Sequence, residues 1–462
     1  MPLILGTNSI KDTGYDVANS CMFNDGDSAY MHKTFASGGT ETAWTISMWV
    51  KRGALGTDQR VFSCDDSSDG DPDNYWRFTD DDEIQINIYN GSAIGNLITT
   101  RVFRDCSAWY HVCVIWKSAD GTEGDRIQLW INGIRETSFS TETYPSQNAV
   151  TVTSSQVVAI GRRNYAGEQY FDGYLAEVVF LDGVTASPVG TLGEFDEDSP
   201  TIFKPKDPSG LTFGTNGFYL DFEDSANLGN DANGGTDFTE VNLAATDQMT
   251  DSPTNNFATL NPLNKGTGTF SEGNLGWAGD SNWRTALSTI AVAKGKWYAE
   301  FKWSSGDYKY IGINGIDTLS HDTTDAIGNH TPSISHPQSG VKFINGASTS
   351  YGDAYDGTSG LIIGVAMDLD NHNLYFSHNN TWQNSGDPES GATGTGAITI
   401  ATTDTYYAIG CSDYNGLEYA NYGSPPYANS SDAADANGYG AFEYAPPSGY
   451  YALCTKNLAE FG

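Results

Sequence analysis

The chain has little positive charge. Its 462 residues carry 23 Lys and Arg against 58 Asp and Glu, a formal net charge of −35. A surface that tracks phosphates needs clustered Lys and Arg to displace counterions, so nucleic acid and anionic membranes are not expected as partners. An acidic exterior of this kind keeps a protein soluble in salty water, where screening mutes its self-repulsion. Cysteine is also scarce. The six residues, Cys21, Cys64, Cys106, Cys113, Cys411 and Cys454, form no CxxC pair and show no metal-type spacing. Free buried thiols are the expectation, with a Cys106–Cys113 bridge as the alternative. No apolar run approaches the roughly 20 residues of a membrane span. No heptad supports a coiled coil, and no window of helical periodicity competes with the strand patterns below. The opening Met1-Pro2-Leu3-Ile4-Leu5-Gly6 has too short an apolar run, and no basic flank, for a secretion signal.

Aromatic residues and glycine are plentiful. With 26 Tyr, 21 Phe, 11 Trp and 52 Gly, the chain has enough apolar surface to offset the entropy of ordering its backbone. Gly, Asn, Asp, Ser and Thr recur about every eight to twelve residues between short β-branched or aromatic runs, the rhythm of strands joined by tight turns. Strands are predicted at Trp44 to Val50, Asp82 to Tyr89, Trp109 to Trp116, Arg126 to Ile131, Val157 to Gly161 and Tyr174 to Leu181. Asn132-Gly133 and Asp182-Gly183 close two of them as turns. A second series runs through Lys296 to Trp303, Tyr308 to Ile313, Leu361 to Leu369, Asn373 to Ser377, Thr405 to Cys411 and Leu417 to Tyr422. Between the two series, Pro205, Pro208, Pro253 and Pro262 punctuate a stretch rich in Asn, Asp and Thr. The expected organisation is a sandwich over 1–200, a Pro/Asn/Asp-rich connector over 201–268, and a second sandwich over 269–462. The connector's aromatic residues require burial, so it packs on a neighbour and is not a free linker.

The segment Asn19-Ser20-Cys21-Met22-Phe23-Asn24-Asp25-Gly26-Asp27-Ser28-Ala29-Tyr30, the strand Trp44 to Lys51 and the late strand Phe171 to Val178 resemble laminin-G and pentraxin-like concanavalin A sandwiches. Gly364 to Asp370 with Asn373 to Ser377, and Tyr406 to Gly410 with Glu418 to Gly423, resemble a SPRY domain, another concanavalin-like sandwich. The resemblances imply an all-β chain of two concanavalin A-like antiparallel sandwiches (jelly rolls) in tandem. The whole arrangement, with Gly214 to Phe222 and Asp251 to Phe257, resembles structural proteins of marine bacteriophages. That implies a place on the exterior of the virion, as tail fibre, appendage or capsid decoration. An external protein without an export signal suits a particle released by lysis.

Concanavalin-like folds include glucanases, which need two carboxylates about 5–5.5 Å apart for retention of configuration. The nearest pattern, Glu194-Phe195-Asp196-Glu197-Asp198, lacks the last acid and sits beside Gly193 and Pro200. No Gly-x-Ser-x-Gly or His-Glu-x-x-His occurs. The expectation is therefore a non-enzymatic binding protein, with a polysaccharide depolymerase as the alternative. His111 is read as a core residue, and His321, His330 and His336 as a weak transition-metal candidate. The turn from Asp65 to Asn74 concentrates oxygen ligands, and Asp65, Asp69, Asp71 and Asp73 are the candidate ligands for calcium, which takes about six to eight oxygens. A solvated acidic loop is the competing reading. Many laminin-G and pentraxin-like domains bind calcium at loop carboxylates, so the resemblance favours the ion. Asp224, Asp231, Asn233 and Asp237 form a second, weaker cluster.

Sugar binding needs an exposed ring to stack on a pyranose face, flanked by polar groups. Tyr351, Tyr355, Trp382 and Tyr414, with Asp353 and Asp413, are the candidates; the alternative is that these rings cap the core. Trp44, Trp49, Trp116 and Trp297 are read as core. The expected partners are other virion proteins, host surface polysaccharide and further copies of the same chain.

Overall fold

The computed structural model describes residues 4–5, 12–65, 74–151, 154–164, 168–265, 268–306, 308–317, 325–355 and 359–462. The chain divides into two compact units, Thr13–Thr254 and Asn255–Gly462, the latter joined by Met1–Asp12. The expected boundaries near 200 and 268 move accordingly. Part of the stretch read as a connector supplies strands to the first unit: Phe218–Leu220 pairs with Gly173–Asp182, Thr239–Val241 with Tyr30–Thr34, and Gln248–Met249 with Ser20–Phe23. Leu260–Lys265 pairs with Arg284–Ser288 in the second unit. The N-terminal Ile4–Leu5 also belongs there, as a parallel partner of Ile290–Ala291.

Two eight-stranded sheets make the first unit. In one, Ala43–Arg52 lies between Tyr110–Lys117 and Gly173–Asp182. In the other, the central order is Ala93–Thr99, Ile84–Tyr89, Asn74–Phe78, Gln59–Asp65, Val157–Ile160 and Tyr30–Thr34. Trp44, Ile46, Val114 and Trp116 from the first sheet meet Phe62, Trp76, Ile86 and Leu97 from the second in one buried core. Burying each such side chain is worth roughly 1.5–3 kcal/mol. Asn132 (φ 49°) and Gly133 (φ 73°) turn the chain from Ile127–Ile131 into Ile134–Arg135, both with the positive φ that a type I′ hairpin requires.

The two sheets differ in how they are covered. The first is buried on both faces, because Ala186, Leu192 and Phe213 cover Cys113, Ile115, Val179, Leu181 and Tyr219 on the side away from the core. Gly173–Asp182 is accordingly buried along its whole length. The second sheet alternates: in Asn74–Phe78, Asn74, Trp76 and Phe78 are buried while Tyr75 and Arg77 are half-buried. Its outer face is polar, with Arg60, Ser63, Gln85 and Asn87 buried and Tyr75, Arg77 and Tyr89 half-buried.

The second unit repeats the plan without repeating the sequence. A seven-stranded sheet centres on Tyr407–Tyr414 and Tyr308–Gly315, and a nine-stranded sheet on Lys296–Ser305 and Ile362–Asp368. His336 of the first packs against Phe376 of the second at 5.4 Å between ring centres. The only α-helix among the described residues is Thr455–Phe461. All six cysteines are buried and free, so Cys106 and Cys113 are not bridged. Trp44, Trp49, Trp116, Trp297 and His111 are core residues. His111 packs between Trp49 and Phe203, and burial lowers its imidazole to about 3, which keeps it neutral.

Candidate functional site

The polar outer face of the second sheet in the first unit carries a groove with a volume of about 480 Å³, lined by Arg60, Tyr75, Asn87, Tyr89, Gly91, Ser92, Ala93 and Arg163. Strand alternation builds it. Register pairs Ser63 with Tyr75 and Tyr75 with Asn87, so these three side chains share the outer side while Trp76 and Ile86 point into the core. The turn at Asn90 to Ser92, with Gly91 at φ 71°, returns the chain into Ala93–Thr99 and forms one wall. Asn74 holds that end, accepting a hydrogen bond from the Tyr89 backbone N–H at 3.0 Å.

Arginine dominates the face. The Arg60 guanidinium lies 3.9 Å from the centre of the Tyr75 ring, and Arg77 lies 5.7 Å from it. Arg60 Nε donates to Gln169 Oε1 at 2.8 Å. Arg77 pairs with Asp58 at 2.6 Å and donates to Gln85 Oε1 at 2.8 Å, and Gln85 in turn donates to Asn96. Arg163 pairs with Glu168 at 2.6 Å. Farther across the face, Arg162 lies 3.5 Å over Tyr30, whose ring stacks on His32. Burial pulls the Arg60 guanidinium down to about 10. Tyr75 opposes that shift, and the nearby Arg163 and Arg77 add to it by repulsion. His32 is likewise lowered, by burial and by Arg162. Rings fixed under guanidinium groups, with Asn and Gln amides beside them, can stack on a sugar face and hydrogen-bond to its hydroxyl or acidic groups.

The sites expected from sequence are distributed differently. Tyr351 and Tyr355 are buried, at 4% and 5% exposure, and cannot present a face to a sugar. Tyr355 donates its hydroxyl to the His336 carbonyl and meets Trp303 edge-on, so both tyrosines plug the end of the second sandwich. Asp413 is fully buried, paired with buried Lys309 at 2.6 Å, because its strand runs to Tyr414 and turns it inward. Trp382 is half-buried, edge-on to Tyr375, and the exposed Asp353 donates its backbone N–H to Gln383 Oε1. Tyr414 joins Trp283, Tyr308 and Tyr310 in an aromatic patch, with ring centres 4.6–6.1 Å from Trp283. The six candidates therefore do not form one site.

Of the expected calcium ligands, Asp69, Asp71 and Asp73 lie outside the described residues, as does the side chain of Asp65, which ends Gln59–Asp65. Among the described residues, no group of three or more His, Cys, Asp or Glu could hold a metal ion. Asp231 accepts the Tyr219 N–H and pairs with Lys33, while Asp237 accepts from Asp231 N and Asn227, so this cluster ties turns together. Glu194 lies in a short strand, Gly193–Phe195, and it and Asp196 face Lys204 and Lys206. His321 is outside the described residues, and His330 bonds Asn314 at 2.8 Å.

His336 lies in the strand Ser333–Pro337. Its Nδ1 reaches the Val341 carbonyl at 2.8 Å, and a carbonyl only accepts, so Nδ1 carries the proton and Nε2 accepts from His378 Nε2 at 2.9 Å. Burial lowers both imidazoles to about 4, which makes this a neutral core pair.

The Arg–Tyr groove escaped sequence reading because its residues lie within strands, where aromatic residues were assigned to the core. The available signal was the alternation Tyr75-Trp76-Arg77, in a chain where arginine is uncommon.

No curated protein matches the chain. Among solved structures it is similar to the SPRY domain of human HERC1 (12% identity, TM-score 0.28, covering 35% of this chain and 96% of that one). It is also similar to a heptameric SAP-like pentraxin from Limulus polyphemus (16%, 0.30, 43% and 100%) and to a human SPRY domain (10%, 0.26, 36% and 98%). Residues 24–187 match the family model of the concanavalin A-like lectin/glucanases superfamily, so the chain carries a concanavalin A-like domain.

Proposed function

We propose that this protein is a glycan-binding structural component on the exterior of a bacteriophage particle, and that the polar outer face of its first unit meets the glycan. The groove carries this reading: half-buried Tyr75 and Tyr89 on the polar face of the sheet, with Arg60, Arg163 and Asn87 around them. The virion location, contacts with other virion proteins and self-association rest on the resemblance of the sequence to phage structural proteins. Binding without cleavage is favoured because the carboxylates at the groove's cations, Asp58 and Glu168, are each held by an arginine. A glycosidase needs such groups free to carry a proton. Release of reducing ends from a polysaccharide by the purified protein would overturn that choice.

Two outcomes are expected. On a panel of bacterial surface glycans, Tyr75→Ala and Tyr89→Ala should each weaken binding about tenfold, the loss of one stacking contact. Unchanged affinity in both, with unchanged melting temperature, would remove the groove from the site. Calcium, held by Asp65, Asp69, Asp71 and Asp73, should raise the melting temperature by about 5 °C at saturating ion. Asp69→Asn with Asp71→Asn should abolish that gain, and no calcium-dependent shift in the parent chain would refute the metal. Antibody labelling of intact particles checks the location.

A further inference from the structure

We infer that the second unit carries a sugar-binding platform of its own, in which Trp283, Tyr308, Tyr310 and Tyr414 stack on an uncharged oligosaccharide. This shares the glycan-binding reading above but not its site, so either can fail without the other.

Strand register assembles the rings on the outer side of the seven-stranded sheet. Tyr308 pairs with Tyr414, and Tyr310 pairs with Ser412, which pairs in turn with Thr285. Alternation puts the three tyrosines on one side, while Lys309 and Asp413 between them are buried on the other. Trp283 precedes Arg284–Ser288 and lies 4.6 Å from Tyr310, 5.8 Å from Tyr414 and 6.1 Å from Tyr308 between ring centres. Each tyrosine ring is tilted 54–58° from the indole, so the cluster is faceted and offers ring faces to solvent. Tyr308 is 50% exposed, the most open aromatic side chain among the described residues. Cross-strand pairing accounts for Tyr308 against Tyr414. It does not account for Trp283, which is carried to them by a turn outside the strands. Asn282 donates its backbone N–H to Asp280 Oδ1 at 2.8 Å, and Asn415 donates its own to the Asp280 carbonyl at 2.9 Å. Arg284 donates to the Trp283 carbonyl at 2.9 Å and to Asp280 Oδ2 at 3.2 Å. The indole is thus held in place before any ligand arrives, which lowers the entropy cost of binding.

Size and charge choose the occupant. Three half-buried rings and one half-exposed ring present at most about 400 Å² together, well short of the roughly 800 Å² that each side of a stable protein interface buries. That area suits one or two sugar rings. Carboxylates flank the patch: Asp280, 38% exposed, beside Trp283, and Asp325, whose carbonyl accepts the Thr285 hydroxyl at 2.5 Å, beside Tyr310. The cation at this edge, Arg284, is turned to Asp280. An anionic glycan would meet those carboxylates, and a second copy of a chain with net charge −35 would be repelled. An uncharged sugar lays its C–H face on the rings and directs its hydroxyls to the acceptors around them.

The test is calorimetric titration of the full chain, at physiological salt with EDTA, using neutral gluco-, galacto- and manno-oligosaccharides and, as the charged comparison, uronate oligosaccharides. With the groove disabled by Tyr75→Ala and Tyr89→Ala, at least one neutral probe should still bind. Adding Tyr308→Ala should weaken that binding about tenfold, and adding Trp283→Ala at least as much. Tyr308→Phe keeps the ring and should keep the affinity. Because Tyr308 is exposed, its substitution reads out even where Trp283→Ala fails to fold. Unchanged affinity in Tyr308→Ala, whether or not its melting temperature falls, makes the cluster a sheet contact only and overturns the inference. Uronates binding as tightly as the neutral probes, or self-association in sedimentation that Tyr308→Ala abolishes, also overturns it. Loss of all binding once the groove is disabled overturns it and leaves the groove standing. Binding of no glycan by the parent chain overturns both.

Discussion

Asp251→Ala is expected to destabilise the first unit by about 3–5 kcal/mol, because it leaves a buried ammonium without its counter-charge. Lys51 Nζ lies 2.6 Å from Asp251 Oδ2, both side chains being 1% exposed. The other carboxylate oxygen accepts the Trp109 indole N–H at 3.0 Å, and the Asp251 carbonyl accepts the Ser20 hydroxyl. One residue thus ties the late segment of the unit to three of its strands or strand ends. Replacing the pair by apolar residues, Lys51→Met with Asp251→Leu, should restore most of the loss, since buried ion pairs contribute little beyond what a well-packed isostere does. Urea denaturation followed by circular dichroism reads both effects. A cost below about 1 kcal/mol for Asp251→Ala would mean that water reaches Lys51.

Glu418→Gln is expected to stabilise the second unit above neutral pH. Glu418, from the nine-stranded sheet, is buried near Lys309 and Asp413 of the seven-stranded sheet, one cation for two carboxyl groups. Burial pushes its carboxyl up to about 8, opposed by Lys309 and reinforced by Asp413. Burial also raises Asp413, against Lys309. In the unfolded chain Glu418 ionises near 4.5. Between that pH and about 8 the folded state holds more protons than the unfolded one, so stability falls as pH rises through this window. Glu177, raised to about 8, and Glu300, raised to about 7, both chiefly by burial, act in the same direction. The parent protein should therefore be more stable at pH 5 than at pH 8.5. Glu418→Gln should flatten that dependence and gain about 1–3 kcal/mol at pH 9. A loss of stability at pH 9 would show that the carboxylate is needed there for Lys309.

Much of the architecture was legible beforehand. The strands around Trp49, Trp116, Phe180, Trp297 and Met367 were each read from alternation or from bulky β-branched runs, and Asn132-Gly133 from its turn chemistry. These signals are local, and local sterics decide them. The unit boundary was not legible. Asp251-Ser252-Pro253-Thr254 looks like loop, yet it is buried in the first unit, with Thr254 accepting the Val17 N–H. Asn255 and Asn256, next in sequence, bond instead to Lys456 and Thr455 of the second. Partners some 200 residues away leave no mark on the local pattern.

The candidate site shows the same division. Tyr351 and Tyr355 sit in polar loop sequence, but tertiary packing turns their rings into the end of the sandwich. Tyr75 and Arg60 sit in strand sequence, but on the polar outer face, beside a groove. By itself the sequence determined the class of fold and the scarcity of cations, because periodicity and composition act over a few residues. Tertiary structure decided which sheet is covered twice and which once. A strand's pleat sets the side to which each residue points, and only the distant segment packed on that side decides whether it meets core or water.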